Sequence, residues 1–294
     1  MSARRLYRLL ASLAIAATGA FGLAAGAGGQ ANEPFAYSLE LSGDISPATS
    51  AWVDHALDEA EDEGATVAII RLDTPGGLDT SLRDIVKDIL AAPMPVFVYV
   101  EPNGARAASA GVYITQAADV AAMAPETNIG SATPISIGPG SDDEVLGRKI
   151  RNDAAAYMRA LAATHGRNPE LGEEMVIRAT NVTASEALKE NFIDFVAPSE
   201  RELLQAADGF RVKGPKAQVL HTADLRIESH DTPLQYELLQ IIVNPTVAFL
   251  LLTVGLIGLA IEIFSPGAIL PGTLVPDLIA ILGSVFFVVG DLDR

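Results

Sequence analysis

The stretch that decides the fold is TVAIIRLDTPGGLDTSLRDIVKDILAAPMPVFVYV, residues 66–100. An apolar, β-branched run ends in the turn TPGG, a segment with helical spacing of apolar residues follows, and PVFVYV supplies a second apolar run. A strand, a helix and a second strand in this order are typical of the units from which α/β domains are built. We therefore predict an α/β fold around this stretch.

Strand and helix patterns continue to alternate on both sides of it. Upstream, FAYSLELSG (35–43) has the alternation of a strand, and residues 46–64 have the apolar spacing of an amphipathic helix. Downstream, DVAAMA (119–124) predicts a strand, and TASEALKENFIDFVA (183–197) predicts a capped helix that returns into a strand. We therefore expect one α/β domain at residues 32–204.

Both ends of the chain carry long apolar segments. Residues 1–31 combine arginines, an apolar run and a small-residue end, which is the order of a signal peptide or an N-terminal anchor. Residues 241–263 are almost uncharged and long enough to cross a hydrocarbon core of about 30 Å. The region 241–294, with a shorter apolar run at 278–289, is therefore predicted to be transmembrane. The polar residues 205–240 are predicted to be a membrane-proximal linker.

The composition limits the classes of partner. The chain has 20 Lys and Arg residues against 37 Asp and Glu residues, a net charge of −17 at pH 7. This balance disfavours nucleic acid or an anionic lipid surface as the main partner. The absence of cysteine is compatible with an exported domain.

EPNGARAASAGVYI (101–114) places one hydroxyl, that of Ser109, among alanines and glycine where a strand pattern gives way to a helix. At such a corner a serine can be exposed as a nucleophile, with room for another backbone to approach. Alternatively, Ser109 is an ordinary N-cap, which is the commoner local outcome. The corner LDTPGG carries Gly76 and Gly77, whose unshielded N–H groups suit a tetrahedral oxyanion. It is an ordinary turn if it does not lie beside Ser109.

A serine nucleophile needs a base, and histidine is the usual one. The four histidines are poorly placed, because they lie on polar helical segments or in the polar region before the membrane (His55, His165, His221, His230). A lysine is the remaining route. Of the five lysines, spacing and elimination favour Lys149, at the predicted start of a helix (149–165), where the positive helix end disfavours an ammonium group. Helical periodicity does not select it.

The segment SATPISIGPGSDDEVLG (131–147) is rich in Gly, Pro and acidic residues and predicts a mobile loop. Because it comes just before Lys149, we expect it to close over a bound peptide. Excluding water from a lysine favours its neutral form, which is the form that accepts a proton.

Five motifs follow one another in order: LDTPGG, ARAASAG, DVAAMAPETNIGSATPI, KIRND and TASEALKENFID. Over residues 35–263 they resemble the NfeD family, membrane-bound serine proteases of the ClpP/crotonase superfamily that are related to signal peptide peptidase. The resemblance implies a ClpP/crotonase-like spiral of ββα units followed by transmembrane helices. It also implies Ser109 as the nucleophile, Lys149 as the general base and Gly76 and Gly77 as oxyanion-hole donors, with neither a cofactor nor a metal.

The same resemblance implies a peptide or protein substrate with hydrophobic segments, a stomatin-like membrane partner, and a homodimer or larger assembly. Long members of the family continue into several membrane helices and a small C-terminal β-barrel, so region 241–294 is expected to be a truncated form of that part. Together with the export signal, the resemblance places the protein in the cell membrane with its protease domain on the extracytoplasmic side.

We therefore predict a membrane-tethered endopeptidase with a Ser109–Lys149 dyad. One alternative is a membrane scaffold that binds stomatin-like partners and in which catalysis is incidental; the presence of both residues weighs against it. A crotonase-like acyl-CoA enzyme could use the same glycine-built oxyanion hole, but export away from coenzyme A disfavours it.

Overall fold

The computed structural model describes residues 33–135 and 143–264. The predicted signal peptide or anchor at 1–31 and the apolar run at 278–289 lie outside the described residues, so both stay predictions. Residues 136–142, in the middle of the predicted loop, lie outside them as well.

The described residues form nine strands and nine helices. The strands are β1 (Phe35–Ser42), β2 (Val67–Asp73), β3 (Val96–Val100), β4 (Arg106–Ala108), β5 (Val120–Met123), β6 (Asn128–Gly130), β7 (Asn181–Thr183), β8 (Phe195–Val196) and β9 (Arg226–His230). The helices are α1 (Pro47–Glu63), α2 (Asp79–Ala91), α3 (Ala110–Ala117), α4 (Glu144–Thr164), α5 (Pro169–Ile177), α6 (Ala184–Lys189), α7 (Glu200–Ala207), α8 (Leu234–Val243) and α9 (Pro245–Phe264). The sequence did not predict the short strands β4, β6 and β7 or the helices α5, α7 and α8.

Six strands form the main sheet in the order β8-β5-β3-β2-β1-β9, and every neighbouring pair in it is parallel. Strands β4, β6 and β7 form a second, small sheet. Parallel neighbours cannot be joined by a tight hairpin, which is why helices separate the strands of the main sheet along the chain. The predicted α/β fold is confirmed.

The central strands of the main sheet are buried on both faces, as is usual for parallel sheets. On one face, Ile70 and Val98 share an apolar core with α1, α2 and α3. On the other face, Ile69 and Phe97 share a second core with Leu203 of α7. Burial on two sides explains why β2 and β3 are continuous apolar runs in the sequence.

Two apolar residues of α1 and α2 are exposed. Helical spacing alone predicts that Ala51 and Leu90 face inward with the other apolar residues of these helices, but the structure places both at the surface. Each lies one position away from a buried residue, at the margin of the apolar stripe. In α1 the neighbouring buried residue is Trp52, whose Nε1 donates a hydrogen bond to the Glu40 carbonyl oxygen at 2.9 Å.

The segment 205–240, predicted as a linker, contributes to the folded domain. Its strand β9 forms the edge of the main sheet beside β1. Four of its apolar residues are buried in the second core (Ala207, Val212, Leu220, Leu225). The local pattern could not predict this, because the partner strand lies at the opposite end of the domain sequence.

Among the described residues, no single helix is long and apolar enough to cross a membrane. The predicted span at 241–263 is divided: Leu234–Ile242 and Thr246–Gly258 meet at a bend of 66°, and only together are they long and apolar enough for a span. Asn244 Oδ1 accepts the Thr246 N–H at 3.0 Å, which caps α9 and separates it from α8. The predicted transmembrane helix is therefore not confirmed.

The C-terminal end of α3 is held by a buried arginine. The Arg167 guanidinium donates to the carbonyl oxygens of Gln116 at 3.2 Å and Ala118 at 2.9 Å. It also pairs with Asp194 Oδ2 at 2.7 Å, and both side chains are almost fully buried. Because carbonyl groups at a helix C-terminus have no intrahelical donor, Arg167 fixes the end of the helix that begins after Ser109.

We expect Asp194→Ala to lower the free energy of unfolding by about 3–5 kcal/mol, because it leaves the Arg167 charge buried without a counterion. Chemical denaturation followed by circular dichroism measures this loss. The control Glu174→Ala removes the exposed Arg178–Glu174 pair and should change the free energy by less than about 1 kcal/mol. Equal losses for the two variants would contradict the role given to the buried pair.

The stability of the fold should also depend on Asp88 of α2. Burial raises the pKa of Asp88 from 3.8 to about 7, and the carboxylates of Asp54 and Asp84 add to the shift. The folded state thus holds this proton more tightly than the unfolded state, so stability from this group is present at low pH and is lost as pH rises through about 4 to 7. We expect Asp88→Asn to stabilise the protein at about pH 8 and to have little effect at about pH 4.

Thermal or urea unfolding of wild type and Asp88→Asn across this pH range measures the difference. Asp62→Asn, at an exposed position of α1, is the matched control. A stability difference that does not grow with pH for Asp88→Asn would show that the carboxyl is not destabilised by its surroundings.

Candidate active site

Ser109 stands between β4 and α3 with φ 51° and ψ −109°. A positive φ is uncommon for a residue other than glycine and persists where the surrounding structure holds it. Here the Ser109 N–H donates to the Gly130 carbonyl at 3.0 Å, and its own carbonyl accepts the Val112 N–H at 3.1 Å. The Ser109 side chain makes no capping hydrogen bond. The interpretation as an ordinary N-cap therefore does not hold, and the hydroxyl is not used by the helix.

The corner that follows β2 lies directly against Ser109. Thr74 forms a parallel bridge with Ala107: the Thr74 N–H donates to the Arg106 carbonyl at 2.8 Å, and the Ala108 N–H donates to the Thr74 carbonyl at 3.0 Å. A Cβ added to Gly76 would lie only 2.6 Å from Ser109 Cβ and 3.1 Å from Ser109 Oγ. The two glycine-rich corners of the sequence thus meet in one place.

Some backbone N–H groups around this corner donate hydrogen bonds within the protein, and others do not. The Gly76 N–H donates to Thr74 Oγ1 at 3.0 Å and is therefore engaged. In the part of the chain that the structure describes, the Gly77 and Ala110 N–H groups donate to no protein acceptor. Ala110 is the first residue of α3, where N–H groups lack intrahelical partners and carry the positive end of the helix dipole. Ala110 was not among the residues predicted from the sequence, although its position directly after Ser109 is the signal for it.

A cavity of about 560 Å³ opens in front of the hydroxyl. Its walls combine backbone of the two corners with apolar and aromatic side chains (Gly77, Leu78, Leu82, Ser109, Ala110, Tyr113, Ala132, Ile135, Tyr157). Leu78 and Ile135 are strongly exposed although they are apolar. The cavity has the dimensions of a ligand site and an apolar rim.

Lys149 lies in a second cavity, of about 510 Å³, next to the first. The two cavities share a wall (Asp79, Arg83, Pro134, Ile135, Ala154). Helix α4 begins at Glu144, so Lys149 lies in its second turn and not at its start, and the field of the helix end is correspondingly weaker there. The Lys149 side chain is exposed, and among the described residues it has no hydrogen bond to Ser109. The structure brings the two residues into adjoining cavities but not into contact.

The other four lysines are placed elsewhere. Lys87 pairs with Asp84 at 2.8 Å on the exposed side of α2. Lys216 pairs with Asp119 at 2.8 Å and also donates to two backbone carbonyls, so its role is to hold parts of the fold together. Lys189 and Lys213 line neither cavity. All four thus lie outside the lining of the two cavities.

None of the four histidines lines either cavity. His165 is buried at the end of α4, where burial and the nearby Arg167 lower its pKa. His230 stacks on Tyr37 with ring centroids 3.8 Å apart. A histidine base for Ser109 is thus not available in this geometry.

Arg83 is one of the residues in the wall that the two cavities share. Its Nε contacts Asp79 Oδ2 and its Nη2 contacts Asp153 Oδ2, both at 2.8 Å. The guanidinium also lies 4.7 Å above the Tyr157 ring. Burial raises the pKa of both Tyr113 and Tyr157, so neither hydroxyl is a base near neutral pH. Arg83 thereby ties α2 to α4 on the side where Lys149 lies.

Comparison with known proteins agrees with this arrangement of elements. The family model of the NfeD1b N-terminal domain matches residues 36–214. The membrane-bound protease PH1510 of Pyrococcus horikoshii is 35% identical over 258 residues, which are 85% of this chain and 58% of that protein. The membrane protein NfeD1b of Bacillus subtilis is 28% identical over 266 residues, 86% of this chain and 56% of that protein. The chain thus spans somewhat more than half the length of these relatives.

Solved structures of the Pyrococcus horikoshii 1510-N membrane protease share the fold. A lysine-to-alanine mutant in complex with a substrate peptide, described as stomatin-specific, superposes with a TM-score of 0.67 at 32% identity and covers 72% of this chain and 98% of that chain. A serine-to-alanine mutant superposes with a TM-score of 0.63 at 33% identity, covering 67% of this chain and 98% of that one.

We expect Gly76→Ala to displace Ser109, because the added Cβ would overlap the serine Cβ. The matched control is Gly43→Ala, where φ is +84° but nothing lies within 4 Å of the added Cβ. Both variants introduce backbone strain, and only Gly76→Ala adds the overlap, so it should be less stable than the control by roughly 1–3 kcal/mol. Urea unfolding compares them, and equal stability would contradict the close approach of the two corners.

Proposed function

The chain belongs to the NfeD family, and from this premise we propose that it is a membrane-tethered serine endopeptidase that uses a Ser109–Lys149 dyad. The observation that carries the proposal is the state of Ser109: a strained serine with an unused hydroxyl, facing a cavity between two glycine-rich corners. Strained backbone at a polar side chain is characteristic of catalytic positions. An ordinary structural serine would use its hydroxyl to cap the helix.

The relatives support the substrate class and both residue types. The 1510-N protease was solved once with a substrate peptide and a lysine replaced by alanine, and once with a serine replaced by alanine. These are the two residue types of the dyad proposed for this chain. The same relative is described as specific for stomatin, so we propose a stomatin-like membrane protein as the partner and hydrophobic peptide segments as the substrate.

In the proposed reaction, neutral Lys149 accepts the proton of Ser109 Oγ while Oγ attacks the carbonyl carbon of the peptide bond. The carbonyl oxygen becomes negatively charged and accepts hydrogen bonds from the N–H groups of Gly77 and Ala110. Gly76 acts through its missing side chain, which leaves room for Ser109. The lysine then gives its proton to the leaving amine. In the second half of the reaction, water gives a proton to the same lysine and attacks the acyl ester, and the lysine passes that proton to Ser109 Oγ as the ester bond breaks.

The proposal requires Lys149 to approach Ser109 when peptide binds. Lys149 is exposed in the second turn of α4, whereas the base must reach hydrogen-bond distance of the hydroxyl. Catalytic contacts often tighten only in the substrate complex, and exclusion of water at that stage favours a neutral lysine. Arg83, which contacts Asp153 of α4, lies in the wall between the two cavities. A movement of Lys149 toward Ser109 would therefore change the contact between Arg83 and Asp153.

Membrane attachment and assembly belong to the proposal as well. The two curated relatives are named a membrane-bound protease and a membrane protein, and we infer that this chain is held at the cell membrane by the region 241–294. We further propose that the domain lies on the extracytoplasmic side, as an export signal at 1–31 would place it, and that it works as a homodimer or larger assembly.

We expect the full-length protein to react with a fluorophosphonate probe at Ser109, because a serine activated by a base attacks phosphorus. Ser109→Ala should abolish labelling, and Lys149→Ala should lower both the labelling rate and kcat/KM for peptide cleavage by at least about 100-fold, the usual contribution of a general base. The matched control is Lys189→Ala, also at an exposed lysine, which should label at the wild-type rate.

Two outcomes would contradict the proposal. Full cleavage activity in Ser109→Ala would show that Ser109 is not the nucleophile. Wild-type rates in Lys149→Ala would show that Lys149 is not the base. A folded wild-type protein that never reacts at Ser109 but retains a stomatin-like membrane partner would favour the scaffold function instead.

A further inference from the structure

A cluster of metal-binding side chains lies outside the candidate active site, on the edge strand β9. Glu228 and His230 are two positions apart on this strand and therefore point to the same face of the sheet. Glu63, in the last turn of α1, faces them. One ligand atom of each of the three residues lies within 4.8 Å of those of the other two.

The neighbouring strand fixes the orientation of the histidine. β9 pairs with β1 in a register that sets Glu228 opposite Tyr37, and the Tyr37 ring stacks on the His230 imidazole at 3.8 Å with an angle of 10°. Tyr37 is itself buried and held by a hydrogen bond from its hydroxyl to Glu59 at 2.7 Å. Stacking occupies one face of the imidazole and leaves the lone pair in the ring plane available to a ligand.

One nitrogen of this imidazole has an unmet requirement. His230 Nε2 is shielded from solvent and has no hydrogen-bond partner in the described part of the chain. Buried polar atoms are nearly always paired, so an unpaired one calls for an explanation. A bound cation beside the two carboxylates would provide that partner.

The charges at this position favour a cation. Glu59, Glu63 and Glu228 bring three carboxyl groups together, and the guanidinium of Arg226 pairs with Glu228. A carboxylate has two oxygens, so the pair with Arg226 leaves one oxygen of Glu228 for a metal. The side chain of Glu63 is exposed and free to adjust.

We propose that Glu63, Glu228 and His230 form a binding site for a divalent transition metal of the Zn²⁺ class, with water completing the coordination. One imidazole nitrogen and two carboxylate oxygens suit such ions better than Ca²⁺ or Mg²⁺, which take oxygen ligands. Ligand atoms about 2.0–2.2 Å from a tetrahedral Zn²⁺ are about 3.3–3.6 Å apart, so the ligand atoms, now within 4.8 Å of one another, must move closer by roughly 1 Å, which the exposed side chain of Glu63 allows.

The site would have a defined structural effect. β9 is an edge strand whose only neighbour in the described sheet is β1, and α8 begins at Leu234, soon after His230. A metal held by Glu63 of α1 and by two residues of β9 would clamp the edge strand to the domain. It would thereby fix the point from which α8 and α9 leave the sheet.

The test uses the full-length protein after treatment with a chelator, titrated with ZnCl₂ and, separately, with CaCl₂ in a calorimeter. We expect saturable binding of one Zn²⁺ per chain that is tighter than binding of Ca²⁺. Glu63→Gln, Glu228→Gln and His230→Gln should each weaken Zn²⁺ binding by at least about 10-fold, since loss even of groups that only orient metal ligands has effects of this size. Glu61→Gln and His221→Gln, at exposed positions outside the cluster, are the matched controls and should bind like wild type.

Hydrogen exchange provides a second, independent measurement. Zn²⁺ should slow amide exchange in β9 of the wild-type protein and of the controls, and should not do so in Glu63→Gln, whose exposed position makes misfolding of the variant an inadequate explanation. No saturable Zn²⁺ binding, equal binding in wild type and the three cluster variants, or Ca²⁺ binding as tight as Zn²⁺ binding would each overturn the site.

Discussion

Two backbone hydrogen bonds join the end of β2 to β4, and the geometry of the candidate site depends on them. They connect Thr74 to Arg106 and Ala108, and so fix the turn after β2 against the residues just before Ser109. The approach is so close that position 76 has no room for a side chain. A corner with this geometry holds a serine at positive φ, exposes two N–H groups beside it and opens a cavity in front of its hydroxyl.

The helix that follows Ser109 is anchored at both ends, which explains how the strain at its beginning is tolerated. Its residues are all buried, and its last carbonyl groups receive hydrogen bonds from Arg167, whose charge is matched by Asp194. A rigid, fully buried helix cannot rotate to relax the serine without breaking these contacts. Packing far from the cavity therefore contributes to the geometry within it.

Lys149, the proposed base, lies instead in the first turns of α4, where residues 143–149 are exposed or half-buried. An ammonium group is more stable in water than in a dry site, so an open arrangement is expected before peptide excludes the water. The rigid half of the site, around Ser109, and the adjustable half, around Lys149, meet at Arg83. The proposed metal site lies at the other boundary of the domain, where β9 leads into α8 and α9.

The sequence by itself determined the α/β alternation, the two glycine-rich corners, the isolated hydroxyl of Ser109 and the poor placement of the histidines, since all of these are local properties of spacing and residue type. Only the tertiary structure decided that Gly76 lies against Ser109, that Lys149 lies in an adjoining cavity and that β9 belongs to the sheet. It also decided that the Gly77 and Ala110 N–H groups have no acceptor among the described residues. These facts depend on pairing between segments far apart in the chain. Local periodicity predicts which segments form strands and helices, but it carries no information about which distant segment each will touch.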